Sequence, residues 1–146
     1  MPRVLVIDDN SSVLQTLEFL LQSEGYDVLS ATDGPSGLRL AAEQAVDVVM
    51  LDIDMPKMSG IAVCAVLKSD PELSHLPVLM MTGRPTEEAI ERAKSVGASI
   101  VLGKPFDLHH LRATIAELLR RPLFTPLEAE PSPEFCNFTA SAIGNI

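Results

Sequence analysis

The sequence predicts an α/β protein whose mainly parallel β-sheet is covered by helices, and two observations support this fold class. Short apolar runs alternate with longer amphipathic stretches over most of the chain, which is the pattern of repeated strand–helix units. Residues that break regular structure fall between those segments: Gly25 and Gly97 follow amphipathic stretches, and Pro71 and Pro85 lie in connections.

The five apolar runs are predicted to be the strands, because they are short and bounded by polar or turn residues. They cover residues 3–7, 26–31, 47–51, 77–81 and 99–102. Pro77 opens the fourth run, which is acceptable because a missing N–H is tolerated at the first residue of a strand.

The amphipathic stretches that follow these runs predict five helices, over residues 10–24, 34–45, 58–69, 86–96 and 107–121. Asn10 and Asp107 are residue types that cap helix N-termini, so they support the starts of the first and last helices. Gly25 and Gly97 supply the left-handed conformation that many helix ends need.

The composition indicates one soluble domain. A length of 146 residues with 47% apolar and 21% charged residues fits a folded globule. No apolar run approaches a membrane span, and the first residues lack a long apolar signal segment, so we expect a cytoplasmic protein. The 20 acidic against 11 basic residues argue against electrostatic binding to nucleic acid or to an anionic membrane.

Residues 122–146 differ in composition from the preceding chain. They contain four of the 11 prolines, three glutamates and no lysine or arginine, so they are predicted to be a tail or linker. They also contain Phe124, Phe135 and Phe138, which are expected to pack on the domain or on a neighbour. The predicted organisation is a domain over residues 1–121 followed by a Pro-rich tail over residues 122–146.

Polar residues follow the predicted strands at the edge where an open α/β sheet binds its ligands. Asp8 and Asp9 follow the first strand, Asp52 the third, Thr82 the fourth and Lys104 the fifth. If these strands are neighbours, three carboxylates, a hydroxyl and an ammonium group converge.

Such a cluster predicts phosphoryl chemistry at an aspartate. Close carboxylates repel one another unless a cation intervenes, and Mg²⁺ suits a site with few protein oxygen ligands and several waters. A metal, a lysine and a hydroxyl are what a transferring phosphoryl group needs, because its transfer depends on positioning and charge neutralisation.

These residues resemble the receiver domain of two-component response regulators, the family of the chemotaxis protein CheY. Asp52 precedes Thr82 by 30 positions and Lys104 by 52, and "DIDMPKMSG" and "GKPF" are typical of that family. The resemblance covers about residues 2–121. It implies a doubly wound, flavodoxin-like sheet of five parallel strands in order 2-1-3-4-5, and a signalling module whose product is a changed surface.

The resemblance also implies an acceptor and a set of metal ligands. Asp52 would take the phosphoryl group from a phosphohistidine on a sensor histidine kinase or a histidine phosphotransfer protein. Asp9 and Asp52 would bind Mg²⁺ directly, together with the backbone carbonyl of Asp54, and Asp8 would hold a metal-bound water.

The remaining family roles fall on the later strands. Lys104 and Thr82 would contact phosphoryl oxygens, and Pro105 would shape the loop that presents the lysine. The chain departs from the family three positions before that lysine, where Val101 replaces the usual Tyr or Phe that moves inward on activation. A conformational switch would therefore rest on the loops after the third and fourth strands or on the last two helices.

One other interpretation starts from the stretch "VVMLDIDMP". Haloacid-dehalogenase-type phosphatases end an apolar strand in Asp-x-Asp, with the first aspartate as nucleophile and the second as general acid/base. Pro56 stands where that family has threonine or valine, and no paired acidic motif follows near the end of the chain.

A flavodoxin-like cofactor binder is disfavoured because "DDNSS" is too acidic to cradle phosphate. A degenerate receiver that acts without phosphorylation is the remaining alternative.

Helix periodicity predicts three surface features. Leu14 in the first helix is expected to contact the phosphodonor, and Phe19 is expected to be exposed. In the third helix Ala62, Ala65 and Val66 share an apolar outer face, which the tail or a second subunit of a homodimer would cover.

Asp54 and Arg84 are expected to form an exposed ion pair across the entrance of the site. Such a pair would hinder the water that hydrolyses a phosphoaspartate.

Overall fold

Strands and helices alternate along the whole of the computed structural model, which describes residues 2–105 and 107–120. The strands are β1 (Arg3–Ile7), β2 (Asp27–Ala31), β3 (Val48–Asp52), β4 (Val78–Thr82) and β5 (Ile100–Gly103). The helices are α1 (Ser11–Ser23), α2 (Gly34–Glu43), α3 (Gly60–Ser69), α4 (Glu87–Ser95) and α5 (Leu108–Arg120). Every predicted element is confirmed, with ends displaced by two residues at most. The tail predicted for residues 122–146 lies outside the described residues.

The strands form one parallel sheet in the order β2-β1-β3-β4-β5, which confirms the predicted topology. From β1 the chain adds β2 on one side and the later strands on the other, so the strand order reverses between β1 and β3. The register pairs Ile7 with Leu51 and Thr82 with Gly103. The carboxyl ends of β1, β3, β4 and β5 therefore meet at one edge, beside the reversal point where such sheets bind ligands.

Helices cover both faces of the sheet and create two apolar clusters. On one face α2, α3 and α4 pack against side chains such as Val49 and Leu51, and on the other α1 and α5 pack against Val48 and Met50. Because both faces are covered, the central strands β3 and β4 are buried along their whole length.

The helix ends follow the predicted chemistry. The Asn10 side chain accepts from the backbone N–H groups of Ser12 and Val13, and so caps α1. Gly25 and Gly97 have φ angles of 93° and 95°, in the left-handed region that glycine adopts without strain.

The predicted orientation of α1 is wrong at one position. Leu14 is only 5% exposed and shares the buried side of the helix with Leu17 and Leu21, so it is not available as a phosphodonor contact. Phe19 is 72% exposed, which confirms the prediction for that residue.

The outer face of α3 is apolar, as predicted. Ala62, Ala65 and Val66 are exposed, whereas Val63 and Cys64 on the other side of the helix belong to the core.

The Cys64 thiol is enclosed between α3 and the end of α4. It donates to the backbone carbonyl of Val96 at 3.4 Å. Burial raises the pKa of this thiol to about 11, and the nearby Lys68 ammonium opposes that rise only in part. Cys64 is therefore a core residue that stays protonated at neutral pH.

None of the helices in residues 2–105 and 107–120 combines the length and the apolar character needed to cross a bilayer.

Candidate functional site

The polar residues predicted from the strand ends do converge. Asp52 and Thr82 are the last residues of β3 and β4, Asp8 follows β1 directly, and Lys104 follows β5 directly. Because these four strands are neighbours in the sheet, their carboxyl ends place the side chains in one cleft.

Three carboxylates lie close enough to share a metal ion. Asp8, Asp9 and Asp52 each offer an oxygen, and these oxygens lie within 4.8 Å of one another. Asp8 and Asp52 are 0% and 3% exposed, whereas Asp9 is exposed. The cluster is therefore acidic, largely enclosed and open to solvent on the side of Asp9.

Lys104 supplies the positive charge of the cluster. Its Nζ lies 2.8 Å from Asp8 Oδ2 and 3.6 Å from Asp52 Oδ2. Its backbone N–H donates to the carbonyl of Thr82 at 2.7 Å, which ties the loop after β5 to the end of β4. The peptide bond between Lys104 and Pro105 is cis.

Asp8 faces the lysine rather than serving as the cap of α1. Its Oδ1 accepts from the Asn10 backbone N–H at 2.9 Å, and its own N–H donates to the Ala31 carbonyl. Since the Asn10 side chain caps the helix, the Asp8 carboxylate is left for the cluster.

Asp52 is held by the loop that follows it. The backbone N–H of Asp54 donates to Asp52 Oδ1 at 3.1 Å. The same loop is closed by Gly60, the first residue of α3, whose N–H donates to the Ile53 carbonyl at 3.0 Å. A Cβ on Gly60 would lie 2.3 Å from the carbonyl oxygen of Asp52, so α3 approaches β3 more closely than any larger residue allows.

The importance of Gly60 was not predicted from the sequence. A glycine at the first position of a helix, where other residues have better helix propensity, was the available signal.

Burial makes the ionised form of Asp52 costly. It raises the pKa of this carboxyl to about 6, although the Asp54 N–H and the Lys104 ammonium favour the ionised form, and the neighbouring carboxylates of Asp8 and Asp54 raise the pKa further. A single ammonium group therefore does not balance the charge of the carboxylates around it. A hard divalent cation with oxygen ligands would do so.

The Thr82 hydroxyl is bonded to the second aspartate of the loop after β3. It donates to Asp54 Oδ2 at 2.8 Å, and the Gly83 N–H donates to the same oxygen at 3.3 Å. The sequence gives no signal for this contact and predicts instead that the Asp54 side chain lies at the entrance of the site.

The predicted ion pair between Asp54 and Arg84 is wrong. Within residues 2–105 these two side chains form no ion pair at 4.0 Å or less. The Asp54 carboxylate turns to Thr82 and Gly83 instead, because a buried hydroxyl and a backbone N–H both need an acceptor. Arg84 enters this network through its backbone N–H, which donates to Thr82 Oγ1 at 3.0 Å.

The match to known sequences agrees with this geometry. The sequence model of the response regulator receiver domain matches residues 4–116. The DNA-binding dual master transcriptional regulator RpaA of Synechocystis is 37% identical over 132 residues, which cover 90% of this chain and 55% of RpaA. The alkaline phosphatase synthesis regulator PhoP of Bacillus subtilis is 33% identical over 135 residues, which cover 92% of this chain and 54% of PhoP.

Solved structures give the same result. The chemotaxis protein CheY4 of Vibrio cholerae superposes with a TM-score of 0.78 at 34% sequence identity, over 82% of this chain and 99% of CheY4. The chain therefore belongs to the response regulator receiver domain family, the signalling modules that are phosphorylated in two-component systems. Family members interact with sensor kinases or phosphotransfer partners. The chain spans about half the length of the two curated relatives described above.

Proposed function

We propose that Asp52 is the phosphoryl acceptor of this receiver domain, and that it takes the group from a phosphohistidine on a sensor histidine kinase or a histidine phosphotransfer protein. The observation that carries the proposal is the meeting of a buried carboxylate at the end of β3 with Lys104 and two further carboxylates. Asp52 is the member of this cluster that ends a fully buried central strand, so the strand fixes its position at the edge of the sheet.

The two oxygens of Asp52 differ in their surroundings. Oδ1 accepts from the Asp54 N–H, whereas Oδ2 faces Lys104 at 3.6 Å, so Oδ2 is the oxygen that we expect to attack. In that step a bond forms between Oδ2 and phosphorus while the bond from phosphorus to the donor histidine nitrogen breaks, and the nitrogen keeps the electron pair. Lys104 is placed to neutralise charge on the phosphoryl oxygens.

Mg²⁺ fits the donor set of the site. Three carboxylates offer oxygen ligands, and one ammonium group leaves their charge unbalanced. Asp9 and Asp52 would bind the ion with the backbone carbonyl of Asp54, and Asp8 would bind through a water. The bound ion would supply the charge neutralisation that phosphoryl transfer requires.

Composition supports two further proposals: residues 1–121 form the receiver domain and residues 122–146 a Pro-rich tail, and the protein acts in the cytoplasm. Membership of the receiver family supports a third, that the protein assists only its own phosphorylation and dephosphorylation. The apolar outer face of α3 is where a second subunit would pack if the chain forms a homodimer.

Intact-protein mass spectrometry after incubation with Mg²⁺ and acetyl phosphate tests the acceptor. The wild-type chain should gain one phosphate and Asp52→Asn none, because an amide cannot attack phosphorus. Asp47→Asn, the same change next to the other end of β3, should gain one phosphate like the wild type.

Two results would contradict this assignment. One is equal labelling of Asp52→Asn and the wild type. The other is continuous release of phosphate from a small phosphate ester, which would favour the hydrolase interpretation of "VVMLDIDMP".

A further inference from the structure

The hydroxyl of Thr82 is already engaged in this structure. It donates to Asp54 Oδ2 at 2.8 Å, and its oxygen accepts from the Arg84 backbone N–H at 3.0 Å. Asp54 Oδ2 also accepts from the Gly83 N–H at 3.3 Å. These bonds join the loop after β3, which begins directly after Asp52, to the end of β4 and the loop that leads from it to α4.

A threonine hydroxyl has one hydrogen to donate. Thr82 therefore cannot donate to Asp54 and to a phosphoryl oxygen at the same time. Phosphoryl oxygens that carry charge accept hydrogen bonds and do not donate them, so the acceptor lone pairs of Thr82 give no alternative contact. Any hydrogen bond from Thr82 to a phosphoryl group on Asp52 must replace the bond to Asp54.

We propose that Asp54 is a positioning residue that holds the Thr82 hydroxyl in the unphosphorylated state and competes for it with a phosphoryl group on Asp52. This inference rests on the proposed function of Asp52. We call the hydrogen bond from Thr82 to Asp54 Oδ2 the hydroxyl latch.

Two properties of the hydroxyl latch make it hard for another acceptor to replace Asp54. Its acceptor is a carboxylate, and hydrogen bonds to charged acceptors are stronger than those between neutral groups. Thr82 is only 1% exposed, so water has little access to its hydroxyl and cannot easily take the place of Asp54 as the acceptor. Phosphorylation must offer Thr82 a better acceptor than the one it already has.

Release of the latch also provides a route to α4 that needs no aromatic side chain. Val101, which is buried in the cluster beneath α4, has no ring that could rotate. When Thr82 no longer donates to Asp54, the side-chain bond between the two segments is lost. The longer hydrogen bond from the Gly83 N–H to Asp54 Oδ2, at 3.3 Å, is then the contact that still joins them. The signal would then begin as a change in the loop after β4.

Titration of the full chain with beryllofluoride at saturating Mg²⁺, followed by fluorine NMR, tests the latch. Beryllofluoride is a tetrahedral mimic of the phosphoryl group that adds to aspartate carboxylates. Asp54→Ala should lower the half-saturating concentration about fivefold to tenfold, because the hydroxyl no longer has to leave a charged acceptor. Asp54→Asn keeps an oxygen that can accept from Thr82, so its half-saturating concentration should fall by a smaller factor.

A double-mutant cycle separates the latch from simple charge repulsion. Thr82→Val removes the hydroxyl with little change in shape, and thermal melts would show whether it folds. In that background Asp54→Ala should change the half-saturating concentration by less than about twofold, because there is no latch left to release.

Four outcomes would overturn the proposal. An unchanged half-saturating concentration in Asp54→Ala would show that Asp54 does not compete for the hydroxyl. An equal gain with and without Thr82 would assign the effect to charge alone. Failure of the wild-type chain to bind beryllofluoride, or equal binding by Asp52→Asn, would remove the acceptor assignment and the latch with it.

Discussion

Asp52→Asn should raise the free energy of unfolding of the metal-free protein at pH 7 by about 3 kcal/mol, since the pKa is raised by about two units and each unit corresponds to about 1.4 kcal/mol. Burial raises the pKa of Asp52 from 3.8 to about 6, so the folded state favours the protonated form. Asparagine keeps an acceptor for the Asp54 N–H but carries no charge that must be buried. Urea unfolding in the presence of EDTA measures the change.

The pH dependence of that gain has a defined sign. A raised pKa contributes stability below the unfolded-state pKa of 3.8, and the contribution is lost as the pH rises through about 6. Wild type and Asp52→Asn should therefore have similar stability near pH 4 and should separate up to pH 7. An equal difference at both pH values would show that ionisation of Asp52 is not its cause.

Mg²⁺ should reduce the difference in unfolding free energy between the two proteins. An ion that binds only the folded state stabilises it by mass action, and Asp52 is one of its proposed ligands. Added Mg²⁺ should therefore raise the unfolding free energy of wild type more than that of Asp52→Asn. Glu91→Gln, which removes one exposed carboxylate from α4, should stay within about 0.5 kcal/mol of wild type and so controls for net charge.

Gly60→Ala should cost up to about 2 kcal/mol in net unfolding free energy, because overpacking a rigid contact costs as much as about 3 kcal/mol. The added Cβ would lie 2.3 Å from the Asp52 carbonyl oxygen and 2.8 Å from the Ile53 Cα. Both are backbone atoms that cannot rotate away, so either the start of α3 or the loop after β3 must move. The better helix propensity of alanine offsets only about 1 kcal/mol of that cost.

The same change should weaken Mg²⁺ binding, because the loop that moves carries the carbonyl of Asp54 and the N–H that holds the Asp52 carboxylate. Calorimetric titration with Mg²⁺ measures the affinity, and urea unfolding measures the stability. Gly83→Ala is the matched control, since a Cβ at Gly83 meets nothing within 4 Å and its φ lies outside the left-handed region. If both alanine variants had wild-type stability, the close contact between α3 and β3 would be less rigid than the structure indicates.

Much of the fold was predictable from the sequence because each element carried its own local signal. Apolar runs marked the strands, and Gly25 and Gly97 marked two helix ends. The orientation of α1 was harder to predict from the sequence, since apolar residues lie on two adjacent faces of the helix. One face contains Val13 and Leu20, and the other contains Leu14 and Leu21. Packing against the sheet selected the second face, and this selection depends on contacts that no local pattern encodes.

The meeting of the site residues was predictable for a similar reason. In a parallel sheet the residue that ends a strand is fixed in space, so Asp52 and Thr82 could be placed together. The partner of the Asp54 side chain was not predictable. The exposed Arg84 and the buried Thr82 hydroxyl both lie close to the loop that carries Asp54. The Asp54 carboxylate accepts from Thr82 because the buried hydroxyl would otherwise lack an acceptor, whereas an exposed arginine can bond to water.

The enclosure of Cys64 bears on how this domain behaves under oxidative stress. Oxidation of cysteine proceeds through the thiolate, and at a pKa of about 11 roughly one Cys64 side chain in ten thousand is a thiolate at pH 7. The thiol also lies behind α3, with its hydrogen directed to the Val96 carbonyl. Because Cys64 is also fully buried, peroxide and disulfide exchange have no access to it in the folded domain, which insulates this part of the core from the redox state of its surroundings.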